Sequence, residues 1–163
     1  MRDLKAIKIE RRDPLHDLLP PGFTLLAGAP KIGKSKLAEC IAGDVAQTNY
    51  VLYLALEYNQ MVAQTRFDHL DDSLDIEIFL EGGFPSWKQG GVEKLGSLLS
   101  FRQPKLVVLD TLARLKRPGQ KNDYEAETQA MQQMKIVTDK YNCDVLALHH
   151  LRKSGVNDNK DDP

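Results

Sequence analysis

A glycine-rich segment near the start of the chain combines the residue types and the spacing that hold a phosphate chain. It reads G-x-x-x-x-G-K-S from Gly28 to Ser35, after an apolar run and before a helical pattern, which is the context that this motif requires. Its glycines allow a tight turn that points backbone N–H groups at an anion, and the positive end of the next helix adds to the attraction. The predicted phosphate-binding residues are Gly28, Ala29, Pro30, Lys31, Ile32, Gly33, Lys34, Ser35 and Lys36.

Two side chains of this loop are predicted to meet the nucleotide and its metal. Lys34 would reach the β- and γ-phosphates of ATP, and Ser35 would place its hydroxyl on the Mg²⁺ ion that bridges them. We therefore expect ATP and Mg²⁺ as cofactors. The alternative is a glycine-rich turn without a ligand, which the flanking strand and helix patterns disfavour.

Two carboxylates follow apolar runs further along the chain. Asp110 ends the run Leu106–Leu109, which is the Walker B pattern, and would hold Mg²⁺ through a water because this ion dehydrates reluctantly. No carboxylate follows Asp110 to activate a water, since Thr111 takes that place, so we expect Glu57 at the end of the second run to be the general base. Taken singly, either carboxylate could instead cap a turn or a helix.

A pair of histidines, His149 and His150, ends the last apolar run. Because side chains alternate along a strand, one of them should point at the nucleotide, and the sequence does not decide which. A metal site and a hydrogen-bonded strand end are the alternatives; zinc is disfavoured because His16 and His69 lie in unrelated contexts and neither cysteine is spaced to help. The predicted catalytic residues are Glu57, Lys34, His149 and His150, and the predicted metal ligands are Ser35 and Asp110.

The elements that must position these residues alternate between strand and helix patterns, which predicts an α/β fold. The predicted strands are Phe23–Ala27, Val51–Leu56, Ile76–Leu80, Leu106–Leu109 and Val145–Leu148. Four are nearly continuous apolar runs, as expected of strands covered on both faces, whereas Ile76–Leu80 alternates and is predicted nearer an edge. Right-handed crossovers between parallel strands would bring every carboxyl end to one rim of a five-stranded sheet with helices on both faces.

Size and composition predict one globular domain in the cytoplasm. The chain has 163 residues, 28% of them charged and 42% hydrophobic, and a net charge of -1, which excludes a strongly basic body. Neither a membrane span nor a cleavable leader is predicted, and the two cysteines, which we expect to be buried, fit a reducing compartment. We divide the chain into an N-terminal segment 1–21, a domain 22–153 and a polar tail 154–163.

Taken together, these motifs resemble those of RecA-like P-loop ATPases, and within them the RepA-type replicative helicase branch. The resemblance rests on G-A-P-K-x-G-K-S, on L-x-L-E at the second strand, on V-V-L-D-T-L-A-R at the fourth and on L-H-H-x-R-K at the fifth. Smaller details agree, namely Pro30-Lys31, Arg66 and Asn122-Asp123-Tyr124. It implies that Glu57 activates water, that His149 or His150 relays the state of the γ-phosphate, and that the protein serves DNA replication or recombination as a helicase or loader.

The resemblance also implies single-stranded DNA as a partner and a homo-oligomeric ring. The family places its trans-acting arginine, its DNA-contacting loop and its closing strands after L-H-H-x-R-K, where Ser154–Pro163 remain here, so we expect the C-terminal part of the fold to be missing. Two alternatives are a nucleotide-gated binding or assembly module with little turnover, and a small-molecule kinase, for which no arginine-rich lid is present. Basic residues that could contact DNA phosphates, or could simply form a solvated charged loop, are Arg114, Lys116, Arg117 and Lys121. Arg152 and Lys153 could act as a finger, contact DNA or form a solvated charge pair at the strand end.

Overall fold

Every strand of the sheet runs parallel to its neighbours in the computed structural model, which describes residues 12–115 and 124–151. The strands are β1 (Phe23–Gly28), β2 (Val51–Ala55), β3 (Ile76–Leu80), β4 (Leu106–Asp110) and β5 (Asp144–His150). The helices are α1 (Lys34–Ala46), α2 (Gln60–Phe67), α3 (Gly91–Arg102) and α4 (Tyr124–Lys140), with 3₁₀ turns at Trp87–Gln89 and Leu112–Leu115. The predicted α/β fold with a five-stranded parallel sheet is therefore confirmed.

The strand order β1-β5-β4-β2-β3 places β5 between the strand that enters the glycine-rich loop and the strand that ends in Asp110. Because all pairs are parallel, the carboxyl ends of the strands meet at one rim, where ligands of open α/β sheets bind. The register aligns the predicted residues there: Gly28 is opposite His150, and Ala55 is opposite Asp110. Residues far apart in the sequence are thus brought to a single edge.

Alternating residues of the central strands feed two separate cores. Tyr53 and Val108 face the core that α1 covers, whereas Leu54 and Leu109 face the opposite core, which receives Leu95 of α3. This two-sided burial explains why β2 and β4 read as nearly continuous apolar runs.

Two expectations about burial need correction. The first strand was predicted to be covered on both faces, but β1 is an edge strand of the described sheet and Leu25 is 43% exposed. Cys40 is exposed, whereas Cys143 is buried, and both thiols are free. The predicted edge position of Ile76–Leu80 is confirmed, because β3 ends the sheet on the other side.

Some sequence-based predictions fall on residues outside the described ranges. These are Lys116, Arg117, Lys121, Asn122, Asp123, Arg152 and Lys153. Within the described ranges, none of the helices has both the length and the apolar character that crossing a membrane requires.

Candidate active site

The glycine-rich loop turns directly from the end of β1 into the start of α1. Gly33, the residue before α1, has a φ of +94°, a left-handed conformation that glycine adopts without a steric penalty. Lys31 is also left-handed, with a φ of +65°. These two turns reverse the chain over a few residues, so that the amino end of the 13-residue α1 faces the rim of the sheet.

The Lys34 side chain is folded back over the loop rather than extended into solvent. It is 6% exposed, and its Nζ donates hydrogen bonds to the carbonyl oxygens of Gly28 at 2.9 Å and Ala29 at 2.8 Å. The same Nζ lies 3.2 Å from Nδ1 of His150. The loop carbonyls and this imidazole surround the ammonium group.

His150 lies between Lys34 and Glu57. Its Nε2 is 3.7 Å from Oε2 of Glu57, on the side of the ring away from Lys34. Even-numbered residues of β5 face the core that α1 covers and odd-numbered residues face the other core, so His149 starts from the opposite face of the strand. The structure therefore distinguishes the two histidines that the sequence left equivalent.

The Glu57 carboxylate is held by residues that follow β4. The Leu56 N–H donates to the carbonyl of Asp110 at 2.8 Å, which continues the β2–β4 pairing past the end of β2. Thr111 follows Asp110 through a cis peptide bond, and its Oγ1 donates to Oε1 of Glu57 at 2.9 Å. Nε of Arg114 lies 3.7 Å from that same oxygen. Glu57 thus has one constrained oxygen and remains 31% exposed at the rim.

Asp110 is buried and surrounded by hydroxyl groups. Its Oδ2 accepts hydrogen bonds from Tyr58 at 3.0 Å and from Tyr53 at 3.4 Å. Burial raises the pKa of Asp110, hydrogen bonds from Ser35 and Tyr58 act in the opposite direction, and the charge of Glu57 raises the pKa further. Among the residues that the structure describes, no cationic side chain forms an ion pair with Asp110, and such a buried carboxylate is well suited to a bound cation.

The donor set at this point fits Mg²⁺. Ser35 and Asp110 offer a hydroxyl and a carboxylate oxygen, which are hard ligands, and Ser35 is among the groups that act to lower the pKa of Asp110. Mg²⁺ commonly takes one or two protein ligands and completes its shell with water and substrate phosphates. No cluster of three or more histidine, cysteine or acidic residues that could form an all-protein metal cage occurs in the described part of the chain.

The remaining predicted loop residues differ in what their side chains do. Lys36 points away from the loop: its Nζ lies 3.2 Å from Nε2 of His69 and 3.8 Å from Oε2 of Glu39. The side chains of Lys31 and Ile32 are exposed. Any contribution of these three residues to phosphate binding would therefore come from the backbone or from a changed side-chain position.

Sequence reasoning missed the polar residues that support the carboxylates. Tyr53 and Tyr58 read as strand and loop aromatics, and only the sheet register reveals that both hydroxyls reach Asp110. Arg114 was predicted as a possible DNA contact; in the structure its Nη1 lies 3.7 Å from Glu81, in addition to its contact with Glu57. The sequence did contain one signal of their location: Tyr58 and Glu81 both follow the ends of strands, which meet at the same rim of the sheet.

Comparison with known proteins places the chain by its family. A family model described as an AAA domain (AAA_25) matches residues 1–156, nearly the whole chain. A comparison with curated proteins found no match.

Proposed function

The chain belongs to the AAA domain family of P-loop nucleotide-binding ATPases, and we propose that it binds ATP with Mg²⁺ and hydrolyses its terminal phosphate bond. The observation that carries this proposal is a row of three side chains, Lys34, His150 and Glu57, at the carboxyl rim of the sheet. Nζ of Lys34 lies 3.2 Å from Nδ1 of His150, and Nε2 of His150 lies 3.7 Å from Oε2 of Glu57. A phosphate-binding lysine and a partly exposed carboxylate are thereby brought to opposite sides of one imidazole.

Binding would exchange one set of partners of Lys34 for another. Its ammonium group now contacts the carbonyl oxygens of Gly28 and Ala29, which are neutral acceptors. The β- and γ-phosphate oxygens are charged acceptors, and charge-assisted hydrogen bonds are about twice as strong as neutral ones. Ser35 and Asp110 would hold the Mg²⁺ ion, which neutralises charge on the phosphate oxygens when bound.

Hydrolysis requires a base for the attacking water, and Glu57 is the proposed base. Thr111 fixes Oε1, which leaves Oε2 on the side of His150 to accept the proton. Attack on the γ-phosphorus breaks its bond to the bridging oxygen and yields ADP and phosphate. His150 lies between Lys34 and Glu57, and in this proposal it would respond to the presence of the γ-phosphate.

We propose that this activity serves DNA replication or recombination, with the protein acting in the cytoplasm as a helicase or loader. The support is the resemblance to RecA-like replicative ATPases in the four motifs at the rim, which also implies single-stranded DNA as a partner and a homo-oligomeric ring. Within this proposal, the RecA-like domain spans residues 22–153, preceded by segment 1–21 and followed by tail 154–163. A nucleotide-gated binding or assembly module with little turnover is the competing function.

The steady-state ATPase rate of the chain, measured with Mg²⁺ and with or without single-stranded DNA, tests these functions. We expect Mg²⁺-dependent turnover that DNA stimulates. Turnover that DNA leaves unchanged would retain the ATPase and refute the DNA role. Tight nucleotide binding with negligible turnover in both conditions would favour the gated module, and absence of nucleotide binding would refute the site itself.

A further inference from the structure

A tyrosine that no sequence motif assigns lies next to the proposed metal site. We propose that Tyr58 is a positioning residue for Mg²⁺: its hydroxyl fixes Oδ2 of Asp110 and so turns the other carboxylate oxygen toward Ser35 and the metal. The inference rests on the proposed function, because it concerns the same Mg²⁺–nucleotide site. Four features of Tyr58 suit it to this role: its backbone, its ring, its hydroxyl and its lack of charge.

The backbone of Tyr58 is fixed on both sides. Its N–H donates to the carbonyl of Ala55 at 3.0 Å, and its carbonyl accepts from the N–H of Glu81 at 3.0 Å. These bonds tie the residue to the ends of β2 and β3. A fixed backbone gives the side chain a fixed starting point, from which packing and hydrogen bonds of the side chain can hold its orientation.

The ring of Tyr58 contacts the guanidinium group of Arg66, which also forms an ion pair with Glu39. The Arg66 guanidinium lies 5.2 Å from the ring centroid, within the range of a cation–π contact. Nε of Arg66 also lies 2.5 Å from Oε1 of Glu39, which is fully buried on α1. Glu39 is one helical turn beyond Ser35, so this pair connects the ring to the helix that carries the proposed metal-binding hydroxyl.

The hydroxyl of Tyr58 is placed between two carboxylates and has one proton to give. It lies 3.0 Å from Oδ2 of Asp110 and 3.4 Å from Oε1 of Glu39. The shorter distance assigns the proton to Asp110, since Glu39 already has the guanidinium of Arg66.

A neutral donor suits a metal-binding carboxylate better than a cation would. A lysine or arginine at the same position would compensate the charge of Asp110 and compete with Mg²⁺. Tyr58 instead orients the carboxylate and leaves its negative charge for the metal. Groups that orient metal ligands in this way typically change metal affinity by about 10- to 100-fold when they are removed.

The experiment is an equilibrium Mg²⁺ titration of fluorescent ATP-analogue binding to the full chain, with the Tyr58→Phe variant compared with wild type. The readout is the Mg²⁺ concentration at half-maximal binding, which does not depend on turnover. Two variants are matched controls. Tyr53→Phe removes a hydroxyl 3.4 Å from the same oxygen of Asp110, and Tyr50→Phe removes one that binds Glu77 at the opposite end of β2.

We expect Tyr58→Phe to raise the half-maximal Mg²⁺ concentration by about tenfold. Binding of the analogue in EDTA and the melting temperature should stay near wild-type values, and both control variants should shift the Mg²⁺ midpoint by less than about threefold. An unchanged midpoint in Tyr58→Phe, or equal shifts in Tyr58→Phe and Tyr53→Phe, would overturn the inference. Wild-type protein that binds the analogue without any response to Mg²⁺ would refute the proposed function instead.

Discussion

The hydroxyl of Thr111, which follows β4, donates a 2.9 Å hydrogen bond to the carboxylate of Glu57, which follows the neighbouring strand β2. Thr111 occupies the position directly after Asp110, where a second carboxylate would have been the simplest source of a general base. The β2–β4 register instead brings Glu57 to that point and gives it a buried hydroxyl as a partner. The proposed base and the residue that orients it therefore come from different strands.

Thr111→Val is expected to lower kcat about tenfold with little change in KM. Valine keeps the shape of the side chain but removes the donor to Oε1 of Glu57, and hydrogen bonds to charged groups are worth about 1.5–3 kcal/mol. Since Thr111 contacts the proposed base rather than a phosphate-binding residue, the loss should appear in turnover. Steady-state kinetics with Mg·ATP measure both constants.

Thr111→Ser provides the control, because serine retains the hydroxyl. We expect this variant to keep turnover within about threefold of wild type. Equal losses in the serine and valine variants would indicate that the methyl group matters rather than the hydrogen bond, and would contradict the positioning role.

Glu57→Gln should retain nucleotide binding and lower turnover by at least about a hundredfold, since an amide cannot accept the proton of the attacking water. Glu81→Gln is the matched control: Glu81 also follows a strand end and also contacts Arg114, but it lies one strand further from β4. Single-turnover hydrolysis measured beside analogue binding separates the two steps. Comparable losses of hydrolysis rate in both variants would indicate that Glu57 is not the general base.

The sequence was sufficient to predict the strands, the glycine-rich loop and the edge of the sheet at which the candidate site residues lie, because each is encoded by local patterns. The strands β2 and β4 are continuous apolar runs, and the loop has fixed spacing. The choice between His149 and His150 could not be made, since it depends on which face of β5 meets α1. The hydroxyls of Tyr53 and Tyr58 were missed for a related reason: their proximity to Asp110 follows from strand register and loop geometry, which local patterns do not specify.

Lys34→Ala is expected to weaken ATP binding by about a hundredfold, because it removes a charge and its hydrogen bonds to the phosphates. The folded state should tolerate this change, since the partners left behind are carbonyl oxygens beside a loop that faces the rim. Isothermal titration with Mg·ATP measures the affinity. Lys94→Ala, which removes an exposed charge on α3, is the control, and an unchanged affinity in Lys34→Ala would refute the nucleotide site.

His150→Ala should lower turnover about tenfold while changing nucleotide affinity less than about threefold. The imidazole contacts Lys34 on one side and Glu57 on the other, so its removal separates the proposed base from the phosphate-binding lysine. His69→Ala is the comparison, because this exposed histidine contacts Lys36 instead. Turnover and nucleotide affinity are measured for both variants. Equal effects of His150→Ala and His69→Ala on turnover would contradict the proposed role of His150.

Asp110→Asn is expected to stabilise the nucleotide-free protein at neutral pH and to abolish Mg²⁺-dependent turnover. Burial raises the pKa of Asp110 in the folded state, so the folded protein binds this proton more tightly than the unfolded chain, and the free energy of unfolding falls as pH rises through the folded pKa. Asparagine has no proton to lose, so the variant avoids this fall in the free energy of unfolding. Each 1 kcal/mol of unfolding free energy retained raises the melting temperature by about 2–4 °C. Thermal denaturation without nucleotide should therefore show a higher melting temperature for Asp110→Asn at pH 7 and a smaller difference toward about pH 4, near the unperturbed pKa of aspartate.

Asp72→Asn, which changes an exposed carboxylate, should show neither effect. A lower melting temperature for Asp110→Asn at pH 7 would mean that the hydroxyls of Tyr58, Tyr53 and Ser35 more than offset the burial of its charge.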